Sequence, residues 1–208
     1  GLAEFGDVDF LTSVMQEIRE GTENGKLWAQ GTGAVGKHYK VHRTPVIKNQ
    51  SISAYDPRVI EVTGLSMMLT AQGADHTTGN AAKYECSGKG VKELVAVSMD
   101  AQVICATADS LGLCLFGRSV TNTNVEMIVG LINDALGTDL EPEFFYEIGK
   151  ETLLLEDEFN KGAGFTEIDD ELPEFFYEEA LSPSNQVARF HAHEVNEALR
   201  EWWSENAA

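Results

Sequence analysis

Basic residues are scarce in this chain. Lys and Arg total 15 against 34 Asp and Glu, a formal net charge of −19 over 208 residues. A phosphate backbone calls for a basic face, so no nucleic-acid partner is expected. Cysteine is sparse and odd in number, with Cys86, Cys105 and Cys114 only. That count builds no disulfide framework and points to a reducing compartment. No CxxC or HExxH spacing occurs, so no structural zinc site closes by a familiar pattern. Long apolar runs are missing too: none nears the roughly 20 residues that cross a bilayer, and no membrane partner is expected. The N-terminal GLAEFGDVDF has neither the basic start nor the apolar stretch of a signal peptide. These absences together predict a cytoplasmic protein.

Strand-like alternation is also rare, and what remains is a helical period. From Asp7, an N-cap residue type, Phe10, Leu11, Val14, Met15 and Ile18 make one apolar stripe that Gly21 stops. A short helix is expected in GKLWAQG, with Gly31, Gly33 and Gly36 breaking the chain after it. Segment 41–57 carries two prolines and several β-formers, an extended connection. Helical pattern resumes from Arg58 to about Gln72, then yields to the glycine-rich GADHTTGN loop. A further apolar stretch covers Lys92 to Ala108, and Asn124 stands as N-cap of VEMIVGLINDAL with Gly137 as its stop. Long helices are predicted from Pro142 to about Asn160, with Phe145, Ile148, Thr152, Leu155 and Phe159 on one face, and from about Asn185 to Trp202. The fold class is therefore mainly α and multihelical, with irregular loops between helices. Residues 1–120 and 121–208 read as two regions, divided near VTNT at 120–123.

The stretch ATADSLGLC, residues 106–114, concentrates the chemistry. Gly112 permits a tight bend, Asp109 can accept hydrogen bonds from a polar heterocycle, and Cys114 can offer a thiolate to iron. A free Cys closing an apolar run is equally a small core hydrophobe. The residues alone leave both readings open for Cys114 and favour the core for Cys86 and Cys105. In AYDPR, Arg58 has a structural role as partner of Asp56 or of a neighbouring loop, and His76 stands alone in its loop.

Taken in order, AYDPR at 54–58, GADHTTGN, D-S-L-G-L-C at 109–114 and EFNKGAGFTEIDDELPEFFYEEAL at 158–181 resemble the C-terminal half of the aldehyde ferredoxin oxidoreductase family. The family pattern D-x-x-G-L-C is met by Asp109, Gly112, Leu113 and Cys114. F-N-x-x-x-G-F-T falls on Phe159–Asn160 with Gly164–Thr166, and D-D-x-L-P-x-x-F on Asp169–Asp170, Leu172–Pro173 and Phe176. The resemblance covers essentially the whole chain. It implies the multihelical C-terminal domains of a tungsten (or molybdenum) bis-pterin enzyme with one 4Fe-4S cluster, oxidising aldehydes to carboxylic acids and passing electrons to ferredoxin. It further implies that Cys114 is the fourth cluster ligand, that Asp109 and Leu113 hold a pterin, and that His76 transfers a proton. Where some members carry a basic residue two positions after that histidine, this chain has Thr78.

The family's first three cluster cysteines, its other pterin motif and its N-terminal β domain precede the matched region and do not occur here. The chain is therefore expected to be a fragment of a longer protein, with that N-terminal domain as a partner. Alone it is expected to bind neither cofactor stably, because a cluster needs four thiolates. Two other functions are compatible with the fold: a non-catalytic helical scaffold, and a relative acting on an activated acid or aromatic thioester. Assembly into a homo-oligomer stays open.

Overall fold

The computed structural model describes residues 3–206. Helices α1 (Val8–Glu20), α2 (Glu23–Trp28) and α3 (Thr32–His38) lead into a small hairpin of β1 (Val46–Ile47) and β2 (Gln50–Ser51). Then follow α4 (Glu61–Leu69), α5 (Val91–Ser110), α6 (Arg118–Thr121), α7 (Val125–Leu136), α8 (Phe144–Ala163), α9 (Phe175–Glu178) and α10 (Ala192–Asn206). The mainly α expectation is met. No single described helix is long and apolar enough to cross a membrane.

α5 is the central helix, packed by α4, α8 and α10. Its Leu94, Val95, Met99 and Val103 meet Val62, Leu65 and Met68 of α4 and Val195, Ala198 and Trp202 of α10 in one core. α8 crosses α5 where Gly149 lets two backbones touch. A Cβ there would lie 2.2 Å from the Val103 carbonyl oxygen, and Thr107 Oγ1 donates to the Phe145 carbonyl at 2.5 Å. A second cluster, Ile128 and Val129 of α7 with Phe145, sits beside it. Packing on α5 thus draws on elements from both sides of residues 120–123.

Local chemistry explains where the elements begin and end. Asp7 accepts from Phe10 N at 2.9 Å and Gly21 turns left-handed (φ +67°), as their residue types predict. Four expectations need correction. Gly33 and Gly36 do not break the chain but lie inside α3. Their missing side chains admit Asn49 and Thr44, whose Oγ1 would stand 2.3 Å from a Cβ at residue 36. α10 starts at Ala192, seven residues after Asn185, because the backbone of 181–191 is committed elsewhere. Leu181 pairs with Gln186, Ala188 N donates to the Phe176 carbonyl at 2.8 Å, and Glu194 accepts from His191 N at 3.0 Å. Pro142 lies just outside α8, and the face expected along that helix is buried only at Phe145, while Leu155 and Phe159 are exposed. Asn124 occupies the cap position of α7, but its amide donates back to the Val120 carbonyl at 2.7 Å instead of accepting.

Candidate functional site

The loop carrying His76 is pinned at its start. Gly73 (φ +75°) has no room for a Cβ, which would stand 2.8 Å from the Ile47 carbonyl oxygen. Ala74 N donates to the Met67 carbonyl at 2.9 Å. Asp75 folds the next turn by accepting from Thr77 N at 2.7 Å and from its hydroxyl at 2.8 Å. His76, half-buried, stacks on Tyr55, ring centroids 5.0 Å apart and planes 26° off parallel.

The rest of AYDPR, directly after Tyr55, is fixed by its own bonds. Arg58 forks onto Asp56 through Nε (2.9 Å) and Nη2 (2.6 Å), donates from Nη1 to the Glu179 carbonyl at 2.7 Å, and lies over the Phe176 ring. Burial pushes the Asp56 carboxyl up, but the hydrogen bonds and charge of Arg58 outweigh it and hold it below the usual carboxylate range. The structural role expected for Arg58 is observed.

D-x-x-G-L-C closes α5. Asp109 stands exposed in the last turn. Gly112 adopts φ +68°, and Leu113 N returns to the Ala108 carbonyl at 2.7 Å. The reversal sends Leu113 half-buried against the Ile128, Val129 and Phe145 cluster and leaves Cys114 exposed. Cys86 and Cys105 are buried. Burial, and then the negative charge of Asp109, push the Cys105 thiol up; Arg118 opposes this and Asp75 adds to it. Partial burial and the Asp109 charge likewise raise Glu156 on α8, and Ser110 and Thr152 hydroxyls meet at 3.0 Å, placing α8 beside the motif.

Sequence reasoning missed the residues that tie these segments together. Asp170 of D-D-x-L-P is buried and paired with Lys48, and its second oxygen accepts from Asn196 at 2.9 Å. Asn160 of F-N-x-x-x-G-F-T donates to the Ala71 carbonyl at 2.7 Å, just before the His76 loop. In Thr166 and Asp169 the same stretch holds a reciprocal cap. Long spacing hid these partners; the polar residue inside each motif was the available signal.

Against a pterin and an iron-sulfur cluster, the donor set fits in part. Asp109 is an exposed carboxylate and Cys114 an exposed thiol behind a left-handed turn, geometry suited to an outside ligand. Among the described residues no three His, Cys, Asp or Glu side chains gather to hold a metal ion. Cys114 is the one exposed thiol among the described residues that such a cluster could use.

Fold and loops together define a multihelical domain that presents a thiol, a carboxylate and an imidazole from the surroundings of one central helix. The chain belongs to the aldehyde ferredoxin oxidoreductase family: residues 1–206 match the sequence model of its domains 2 and 3. It is 26% identical over 187 residues to a tungsten-containing aldehyde ferredoxin oxidoreductase of Pyrococcus horikoshii, covering 85% of this chain. A protein of the same description from Pyrococcus abyssi is 27% identical, again over 85% of this chain. The chain spans 30% of the length of each of these relatives.

Proposed function

We propose that this chain is the C-terminal, cofactor-facing part of a tungstopterin iron-sulfur oxidoreductase that oxidises aldehydes to carboxylic acids and passes the electrons to ferredoxin. The observation that carries the reading is the exposed Cys114 directly behind the left-handed Gly112, within a chain that matches its family along residues 1–206. Cys114 provides one of the four thiolates of a 4Fe-4S cluster, and the polypeptide's own N-terminal part provides the rest. Asp109 accepts hydrogen bonds from the pterin, and Leu113, anchored in the Phe145 cluster, fixes the loop that grips it. The tungsten bis-pterin, when bound, supplies the two-electron chemistry.

His76 holds and moves a proton. Conversion of an aldehyde and water to an acid releases two electrons and two protons, and an imidazole can take up and pass on a proton there. Its stack on Tyr55 keeps the ring in one orientation. A cytoplasmic setting, with ferredoxin as redox partner, completes the proposal.

The test is metal and sulfide analysis of the full-length polypeptide, purified without oxygen, beside a Cys114→Ala variant. Tungsten with about four irons in the parent, and iron lost in the variant, is the expected result. Equal iron in both would remove Cys114 from the cluster and favour a scaffold role.

A further inference from the structure

Between α4 and α5 lie polar side chains in positions where apolar ones would pack. Ser66 and Ser98 are fully buried and Gln102 is 2% exposed. Such groups cost free energy in an apolar interior unless each finds a partner. Here they form a chain. Gln102 Nε2 donates to Ser98 Oγ at 3.0 Å, the Ser98 and Ser66 hydroxyls are 2.7 Å apart, and Ser66 Oγ lies 2.9 Å from the Gly79 carbonyl oxygen. A hydroxyl has one proton to give. With Ser98 donating to Ser66, the Ser66 proton is free for Gly79 or for the Val62 carbonyl at 3.0 Å. Thr63, also fully buried, accepts from Ala81 N at 3.3 Å.

Steric fit agrees with the hydrogen bonds. A Cβ on residue 79 would lie 2.7 Å from Gln102 Cγ and 3.1 Å from Ser66 Oγ. The loop of His76 is thus anchored before it by Gly73 and Ala74, and after it by a polar chain that rises from the core. Joining two helices requires no such chain; receiving a loop backbone does.

We infer that Ser66, Ser98 and Gln102 are positioning residues for His76, fixing residues 74–81 so that the imidazole stays stacked on Tyr55. The importance of the inference rests on the proton-handling role proposed for His76, but its test does not require turnover. On the full chain, Ser98→Ala removes the central link and leaves Gln102 Nε2 only the weak Met99 Sδ acceptor at 3.7 Å. Amide exchange at residues 74–81 is expected to rise about tenfold, the factor one net hydrogen bond supplies, with α10 unaffected. In the NMR spectrum of histidine-labelled protein, the His76 ring signals, shifted by the Tyr55 ring, move toward free-histidine positions. Ser98→Cys, which keeps a weak donor, restores them in part.

Val103→Ala is the control, an apolar truncation on the same helix. It lowers overall stability and leaves the His76 signals where they are. Unchanged exchange and signals in Ser98→Ala would overturn the inference. So would an equal displacement in Val103→Ala at matched loss of stability. Should Ser98→Ala fail to fold, Gln102→Met, similar in volume without the donor, takes its place, and the same two readouts decide in the same way. Turnover that survives His76→Ala in the full-length enzyme would remove the catalytic reading of His76 and leave the positioning result standing.

Discussion

Lys48 and Asp170 form an ion pair across 122 positions of sequence, with their side chains 5% and 12% exposed. Lys48 sits in the left-handed turn of the hairpin (φ +48°), and its ammonium also donates to the Met68 carbonyl at 2.8 Å. One bond set therefore joins the hairpin, the end of α4, the D-D-x-L-P motif and, through Asn196, α10. With both charges out of water, removal of one leaves the other uncompensated. Lys48→Met or Asp170→Asn is expected to cost about 3–5 kcal/mol in urea unfolding. Replacing both charges with apolar residues should cost clearly less than the sum of the single changes.

The α5–α8 crossing makes a second prediction through two glycines that differ only in surroundings. A Cβ at Gly149 meets the Val103 carbonyl oxygen at 2.2 Å and Thr107 Oγ1 at 2.4 Å, atoms of a facing helix that cannot step aside. Gly149→Ala should destabilise by about 1–3 kcal/mol or more, because the helices must separate. At Gly130 in α7 nothing lies within 4 Å. Gly130→Ala is expected to gain about 0.5–1 kcal/mol from helix propensity. Thermal unfolding of the two variants should move in opposite directions.

Asp56 gives a dependence on pH. Its folded carboxyl titrates below the usual range, since the bonds and charge of Arg58 outweigh burial. A lowered folded value means that the contribution is complete above the unfolded value of about 3.9 and fades as pH falls through the lower folded one. Asp56→Asn should cost about 1–3 kcal/mol at neutral pH. Stability measured against pH should show the two proteins converging only below about pH 4. A gap that closed on the alkaline side would contradict the assignment of the pair.

Much of this was legible from the chain, in proportion to how local the cause is. α1 announced itself through Asp7, its stripe and Gly21, because a cap and a stop act within one turn. The bend after Asp109 was readable for the same reason, since Gly112 alone supplies the left-handed residue. That Cys114 faces outward was not. An apolar run ending in Cys is the same string whether the thiol points in or out, and only the placement of Leu113 against Phe145 decides it. Partners remote in sequence stayed hidden likewise: Asn160 reaches Ala71 across 89 positions, and the motif shows the donor but not the acceptor. The glycines of α3 misled because residues that weaken a helix locally were needed for contact with Asn49 and Thr44.

Exposure of the three thiols provides the last prediction and bears most directly on the site. Cys114 is exposed, while Cys86 and Cys105 are buried. Cys105 is further protected because burial and the Asp109 charge raise its thiol and keep it protonated. In the cofactor-free chain at about pH 8, a disulfide reagent such as dithiobisnitrobenzoate should therefore modify a single thiol quickly. All three, Cys86, Cys105 and Cys114, should react once the chain is unfolded in guanidinium. Cys114→Ala should abolish the fast phase and leave the slow ones. The link to the site is geometric: a thiol that a reagent reaches from solvent is one that the proposed cluster could also reach. A native chain with no fast thiol would place Cys114 inward and take away the geometry on which the cluster-ligand role proposed for it depends.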